Sequence, residues 1–250
     1  ASASGKTSLL TEPIEFTITN ADDYVTAGDE VNAEAVNGPF KSYLQFLKID
    51  GNDSSIKLTT ASFKLERIVE GEEPETVTVT SPGADGYYKA TMTKTGTYRL
   101  TETNVPAGYA TDKPFTAEFT LTNADNGKTL NIKKGAQTQD GKAVTLKNGS
   151  WNDTGVTNPP NRLKLDKVDR DAMSTSLSGV TLTVKKGSDV IFTWTRSNNI
   201  VSVDLKKTDG DYANMYVDAN KYVCAIPAGD YTITETSGPA DYAKARVTNF

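Results

Sequence analysis

Six side chains of three kinds recur where charge and amide groups are not expected. Leu44, Phe46 and Lys48 share one face of an alternating run, as do Leu163, Leu165 and Lys167. Tyr98, Leu100 and Glu102 line one face of another run, and Tyr231, Ile233 and Glu235 line its counterpart. Val31, Ala33, Ala35 and Asn37 align, and so do Val156 and Asn158. In each case the polar residue projects with the apolar set, towards a core. Unpaired buried charge is costly, and a single such lysine is most simply a strand-end residue reaching water. Lysine, glutamate and asparagine recurring together favour chemistry. Burial lowers a lysine pKa and raises a glutamate pKa. The neutral amine is then a nucleophile, and a protonated carboxyl polarises a nearby amide. Attack on an asparagine side-chain carbonyl expels ammonia and leaves a Lys–Asn isopeptide crosslink, with the glutamate carrying protons from amine to leaving group. A crosslink closing a loop of about a hundred residues restricts the unfolded chain strongly.

The composition excludes most other chemistry. The 250 residues contain no histidine and one cysteine. No Ser-His-Asp triad, histidine base or histidine-ligated metal can be built, nor an intrachain disulfide framework or Cys-rich zinc site. A turnover enzyme is therefore not expected, and neither a cofactor nor a metal. With 27 basic and 32 acidic side chains the net charge is -5, which offers nucleic acid no electrostatic footprint. No run of ~18 apolar residues is present to span a membrane. The acidic stretches around Asp50 and Asp53, and around Asp166, Asp169 and Asp171, do not follow EF-hand spacing and read as solvated turns. Cys224 alternates as a strand core residue, and Trp151 and Trp194 read as core or loop anchors.

The elements that must position the six residues are strands. Short runs such as Thr76–Thr80, Tyr98–Thr103, Val180–Val184 and Tyr231–Thr236 alternate β-branched and aromatic residues with polar ones, broken by Asp-Gly and Asn-Gly pairs. Helical periodicity is scarce, with room for one turn in Asp211–Ala219. The pattern predicts an all-β fold of sandwiches. Segments also repeat. YRLTETNVPAGY (98–109) matches YTITETSGPADY (231–242), LKID (47–50) matches DKVD (166–169), and EFTITNAD (15–22) matches EFTLTNAD (118–125). The resulting order is lysine strand, glutamate box, Phe-Thr strand, asparagine strand. Residues 40–159 hold one complete module. Residues 160–250 hold the first part of a second, and residues 1–39 hold the Phe-Thr and asparagine strands of a module without its first half.

The two glutamate boxes and the lysine strands FLKID and LDKVD resemble the Cna B-type domains of Gram-positive surface adhesins and sortase-assembled pilins, over nearly the whole chain. The resemblance implies tandem immunoglobulin-like, prealbumin-like β-sandwiches with autocatalytic isopeptide bonds. It implies a structural role outside the cell as a pilus shaft subunit or adhesin stalk, on a cell-wall-anchored surface, with sortase and a host surface ligand as partners. By position, Lys48 and Lys167 are the nucleophiles, Glu102 and Glu235 the catalytic carboxyls, and Asn158 the acceptor for Lys48. The second module departs from the pattern, because only eight residues follow Tyr242. Its acceptor is either Asn249 or Asn37. In the latter case residues 1–39 complete module 160–250, within one chain or across neighbouring copies in a filament by strand donation. Alternatively the sequence is a slice through a longer tandem array. No LPxTG-like signal follows Phe250 and no Tyr-Pro-Lys pilin motif is evident. The competing function is a host-surface binding module for a matrix protein or glycan, for which the 110–158 stretch, about 18 residues longer between landmarks than 1–39, is the candidate insertion.

Overall fold

The computed structural model describes residues 38–136, 144–239, 241–243 and 248–249. Residues 1–37, including Asn37 and the first Phe-Thr run, lie outside the described residues.

The chain is nearly all β, as its alternation and turn residues predict. The first module contributes β1 (Ser42–Asp50), β2 (Ser62–Ile68), β3 (Glu75–Val77), β4 (Val79–Thr80), β5 (Tyr87–Met92), β6 (Gly96–Asn104) and β7 (Thr116–Leu121). After a 3-10 turn at Asn123–Asp125 come β8 (Thr129–Asn131), β9 (Thr145–Asn148), β10 (Ser150–Trp151) and β11 (Val156–Asn158). One sheet runs β10-β11-β1-β5-β4, with β8 also on β1; the other runs β3-β2-β6-β7-β9. The TVTVT run thus divides between two sheets, β3 pairing with β2 and β4 with β5.

The second module contributes β12 (Arg162–Leu163), β13 (Val180–Lys186), β14 (Asp189–Ser197), β15 (Ile200–Leu205), β16 (Tyr216–Val217), β17 (Val223–Cys224), β18 (Thr232–Ser237) and β19 (Thr248–Asn249). The one helical turn expected in this region is a 3-10 turn at Gly210–Tyr212. Its sheets run β12-β17-β16 and β15-β14-β13-β18-β19. Among the described residues no helix is long and apolar enough to cross a membrane.

Each module has its own core. In the first, Phe46 stacks on its cross-strand neighbour Tyr88 at 5.3 Å in one sheet and Tyr98 on Phe119 at 5.6 Å in the other, and Phe63 packs edge-on across to Phe46. In the second, Phe192 and Trp194 are buried with Val184 and Tyr231. Cys224 is buried as a small core residue, and Trp151 packs against Phe115. The described parts of the 110–158 stretch lie on the sandwich itself: β8 and β11 pair with β1, β9 with β7, and β10 with β11.

The modules meet through the glutamate-box loop of the first. Tyr109 bridges to Pro160, the Asn161 N–H donates to the Gly108 carbonyl at 2.8 Å, and the Asn161 side chain donates to the Ile226 carbonyl at 3.0 Å. Leu58, Tyr109 and Ala225 form a small apolar cluster at this seam. Gly108 has φ +89, and a Cβ there would lie 2.1 Å from the Ala225 carbonyl oxygen, so no side chain fits without parting the modules. Gly108→Ala is predicted to open the seam while leaving both cores folded. The check is limited proteolysis, with cleavage between residues 158 and 163 accelerated and two stable fragments retained.

Candidate functional site

The site is assembled by three strands from two facing sheets. β11 lies parallel to β1 with Lys48 opposite Val156 and Asp50 opposite Asn158. The long lysine side chain therefore covers a two-residue diagonal to meet Asn158. Two features hold this parallel pair together. The Gly51 N–H donates to the Asn158 carbonyl at 2.8 Å. Gly155 lets the strand close on β1, since a Cβ there would lie 2.5 Å from the Leu47 carbonyl oxygen. Glu102 comes from β6 in the opposite sheet, on the core face that it shares with Tyr98 and Leu100, as the alternation predicts.

All three side chains are withdrawn from water: Lys48 is 0% exposed, Glu102 3% and Asn158 2%. The Lys48 Nζ lies 3.0 Å from Glu102 Oε1 and 3.1 Å from Oε2. It also donates to the Asn158 side-chain carbonyl oxygen, Oδ1, in a very short contact. The Asn158 Nδ2 donates to Glu102 Oε1 at 3.4 Å. Glu102 thus bridges the amine and the amide nitrogen of the same asparagine. Its orientation is fixed by the Phe115 backbone N–H, which donates to Oε2 at 3.2 Å. Aromatic residues wall the site: Phe63 lies 5.9 Å from the amine and packs edge-on against Phe46 and Tyr88. Burial pushes the Lys48 pKa down to about 8, against the opposing pull of the Glu102 carboxylate.

The second module brings Lys167 and Glu235 together, Nζ to Oε2 at 3.3 Å. Here the lysine side chain is 19% exposed. The lysine strand is regular only over β12, whereas its counterpart β1 runs through Lys48 to Asp50. Asn249 lies on β19, which pairs with β18 through Thr232 opposite Asn249. Matching Tyr231 to Tyr98, this is the register in which β7 meets β6, with Arg99 opposite Glu118. β19 therefore occupies the place of β7, beside the glutamate strand, and not that of the asparagine strand β11. Asn37, the other acceptor considered, lies outside the described residues.

Two residues near the site have roles that the sequence reading missed. Asp50 is not solvated as expected but fully buried. It accepts the Tyr109 hydroxyl at 2.9 Å and the Asn52 and Asp53 N–H groups at 2.6 and 3.1 Å. Burial and the Asp50 carboxylate push the Tyr109 hydroxyl pKa well up. The same pair recurs in the second module, where the Tyr242 hydroxyl donates to Asp169 at 2.8 Å. The signal was present in the repeats, since LKID pairs with PAGY and DKVD with PADY. Among the described residues no cluster of carboxylates and cysteine could hold a metal ion.

Residues 42–136 match a family model described as SpaA: prealbumin-like fold domain. Over this segment the chain is similar to that prealbumin-like family. The segment holds Lys48 and Glu102, and the prealbumin-like fold implied by the first glutamate box agrees with this match. No curated protein matches the chain in sequence. Three solved structures are similar to it. The TIE protein of Bacillus anthracis is 16% identical, with a TM-score of 0.39, over 86% of this chain and 31% of that one. A streptococcal ancillary pilin is 15% identical, with a TM-score of 0.33, over 88% and 68%. A C-terminal fragment of the pilus adhesin SpaC from Lactobacillus rhamnosus GG is 17% identical, with a TM-score of 0.40, over 84% and 81%. The chain spans less than a third of the length of the Bacillus anthracis structure.

Two predictions come from this geometry. Tyr109→Phe leaves a buried Asp50 oxygen without its hydroxyl donor. It should destabilise the first module by about 1–3 kcal/mol, read as a lower midpoint in denaturant unfolding. The second concerns pH. If the neutral amine is the attacking species, ammonia release by chain refolded from an uncrosslinked, denatured state should accelerate about tenfold per pH unit up to about 8 and then level off. An ordinary lysine would keep accelerating towards 10.5, the value from which Lys48 is displaced. Before crosslinking, the unfolded chain holds the proton that the folded amine has lost. The folded module should therefore gain stability as pH rises from about 8 towards 10.5.

Proposed function

We propose that this chain is a structural segment of an extracellular surface filament, a pilus shaft or adhesin stalk, stiffened by self-made Lys–Asn isopeptide bonds. The observation that carries the reading is one buried carboxylate bridging an amine and the amide that the amine touches. In the first module Lys48 Nζ attacks Asn158 Cγ. The new C–N bond forms as the bond from Cγ to Nδ2 breaks. Glu102 accepts a proton from the amine and delivers one to the departing nitrogen, which leaves as ammonia. The aromatic wall excludes water that would compete for the carbonyl. The reaction happens once per molecule and acts on no external substrate, so the chain is its own product and no turnover enzyme. It needs no cofactor.

The reward is mechanical and thermodynamic. The bond replaces a buried charged group by a neutral amide and spans 110 residues of chain. A crosslink around a loop of that length stabilises by about 4–5 kcal/mol in the chain-entropy picture. Extracellular placement suits a module without disulfides that must survive outside the cell, and a cell-wall anchor attached by sortase fits the family of residues 42–136.

Intact-mass spectrometry tests the reading. The folded chain is expected to weigh less than its sequence by one ammonia for the Lys48–Asn158 bond, and Glu102→Ala or Asn158→Ala should restore that mass. The same variants should melt roughly 20 °C lower in the first module. A wild-type mass with no ammonia lost would contradict it.

A further inference from the structure

The three strands that form the crosslinking site leave it at the same end, and the second module sits on that end. β1 reaches Asp50 two residues after Lys48, with Asp50 opposite Asn158. β6 leads from Glu102 through the glutamate-box loop to Tyr109, whose hydroxyl donates to Asp50 at 2.9 Å. The next residue, Ala110, donates its N–H to the Pro159 carbonyl at 3.1 Å. One side-chain pair thus ties the lysine strand to the glutamate loop, and one backbone bond ties that loop to the strand that carries the amide.

β11 needs such support. It is three residues long and its partner β10 two. Asn158 is its last residue, and Pro159 and Pro160 have no N–H with which to continue a ladder. The chain is gripped again at Asn161, from both modules. The Asn161 N–H donates to the Gly108 carbonyl and its side chain to the Ile226 carbonyl of the second module. The second module also closes over the Asp50–Tyr109 pair. Ala225 packs with Tyr109 and Leu58, and Tyr216 of β16 brings a buried hydroxyl into the field of the Asp50 carboxylate. Burial and that carboxylate push the Tyr216 pKa well up. Asp50 is 0% exposed and Tyr109 4%, an enclosure to which both modules contribute.

We propose that Asp50 and Tyr109 are positioning residues for the Lys48–Asn158 crosslink, held in place by the docked second module, so that the first module crosslinks at its full rate only after the second has folded against it. The bonds made and broken are those of the reaction proposed above; what the seam sets is their rate. Both residues act through the strands that carry the reacting groups. The amine must meet one carbonyl carbon, and a displacement of about 1 Å caused by a change remote from the reacting atoms costs as much as ~100-fold in rate. With the seam open the first core still gathers β1, β6 and β11, but the end of β11 loses its hold at Asn161 and the Asp50–Tyr109 pair loses its cover. The covalent bond therefore seals chains in which the seam has been made.

This inference rests on the isopeptide reading of the first module, and its test separates the two. Chain is made by cell-free synthesis, samples are quenched in acid over time, and digestion gives the fraction carrying the branched Lys48–Asn158 peptide. Trp194 is buried in the second core. Trp151, the other of the two tryptophans, pairs with Val156 of β11 and packs on Phe115. Trp194→Phe thus gives a folded reference whose emission reports the acceptor strand in the first core. Trp194→Asp places a charge in the second core and should unfold that module, while the Trp151 emission stays that of the reference. Its crosslinking is expected to be slower by roughly tenfold or more. Gly108→Ala and Tyr109→Phe, each added to the reference chain, should slow crosslinking to a similar degree, with the Trp151 emission and the levelling near pH 8 unmoved. Crosslinking at the reference rate in the Trp194→Asp or Gly108→Ala chain would overturn the inference and leave the isopeptide reading intact. A shifted Trp151 emission in the slowed variants would overturn it as well, because the second module would then stabilise the first core and not position the amide. No branched peptide in the reference chain would sink both.

Discussion

The structure depends on the burial of one amine. Lysine is rarely taken fully out of water, because desolvation of the ammonium exceeds what a single ion pair returns. Lys48 is nevertheless fully enclosed, and its amine meets a carboxylate and an amide within the aromatic wall. Two charges held in a core are a poor source of stability but a strong constraint on geometry, since every polar atom must be met. Here the amine meets both carboxylate oxygens and the amide oxygen, while the amide nitrogen and a backbone N–H meet the carboxylate. An arrangement that satisfies these atoms before reaction also aligns them for it. Conversion of amine and amide to a single secondary amide then removes the charge that made the burial costly.

This requirement organises the strands around it. The asparagine must come from the strand beside the lysine and the glutamate from the facing sheet, so the site exists only when the sandwich has closed. The parallel pairing of β1 with β11 needs a crossover that traverses the whole module. This is why residues 48 and 158 are so far apart in sequence and why joining them constrains the unfolded chain so strongly. The described part of the second module shows two of the three groups. Its lysine and glutamate have found each other, but among the described residues β12 pairs with β17 alone, and the lysine remains partly exposed.

Much of this was legible in the residues. Alternation placed Lys48, Glu102 and Asn158 on core faces, and repetition of the glutamate boxes distinguished a module from an accident. The strands followed from β-branched runs bounded by Asp-Gly and Asn-Gly turns. What could not be read was pairing. Period two says which face a side chain takes but not which strand lies alongside, so Asn249 was an acceptor candidate until the register of β19 put it in the place of β7. The long 110–158 stretch looked like an inserted loop because β8, β9 and β10 are only two to four residues each, too short to show alternation. Asp50 looked like a solvated turn because its burial depends on Tyr109 and the neighbouring module, contacts 59 residues and more away.

The most direct test of the central claim is tandem mass spectrometry of a proteolytic digest of the folded chain. The account predicts a branched peptide in which the Lys48 side chain is joined to the Asn158 side chain, with its fragment ions localising the link to those two residues. Recovery of the Lys48 and Asn158 segments as separate linear peptides of unmodified mass would contradict it.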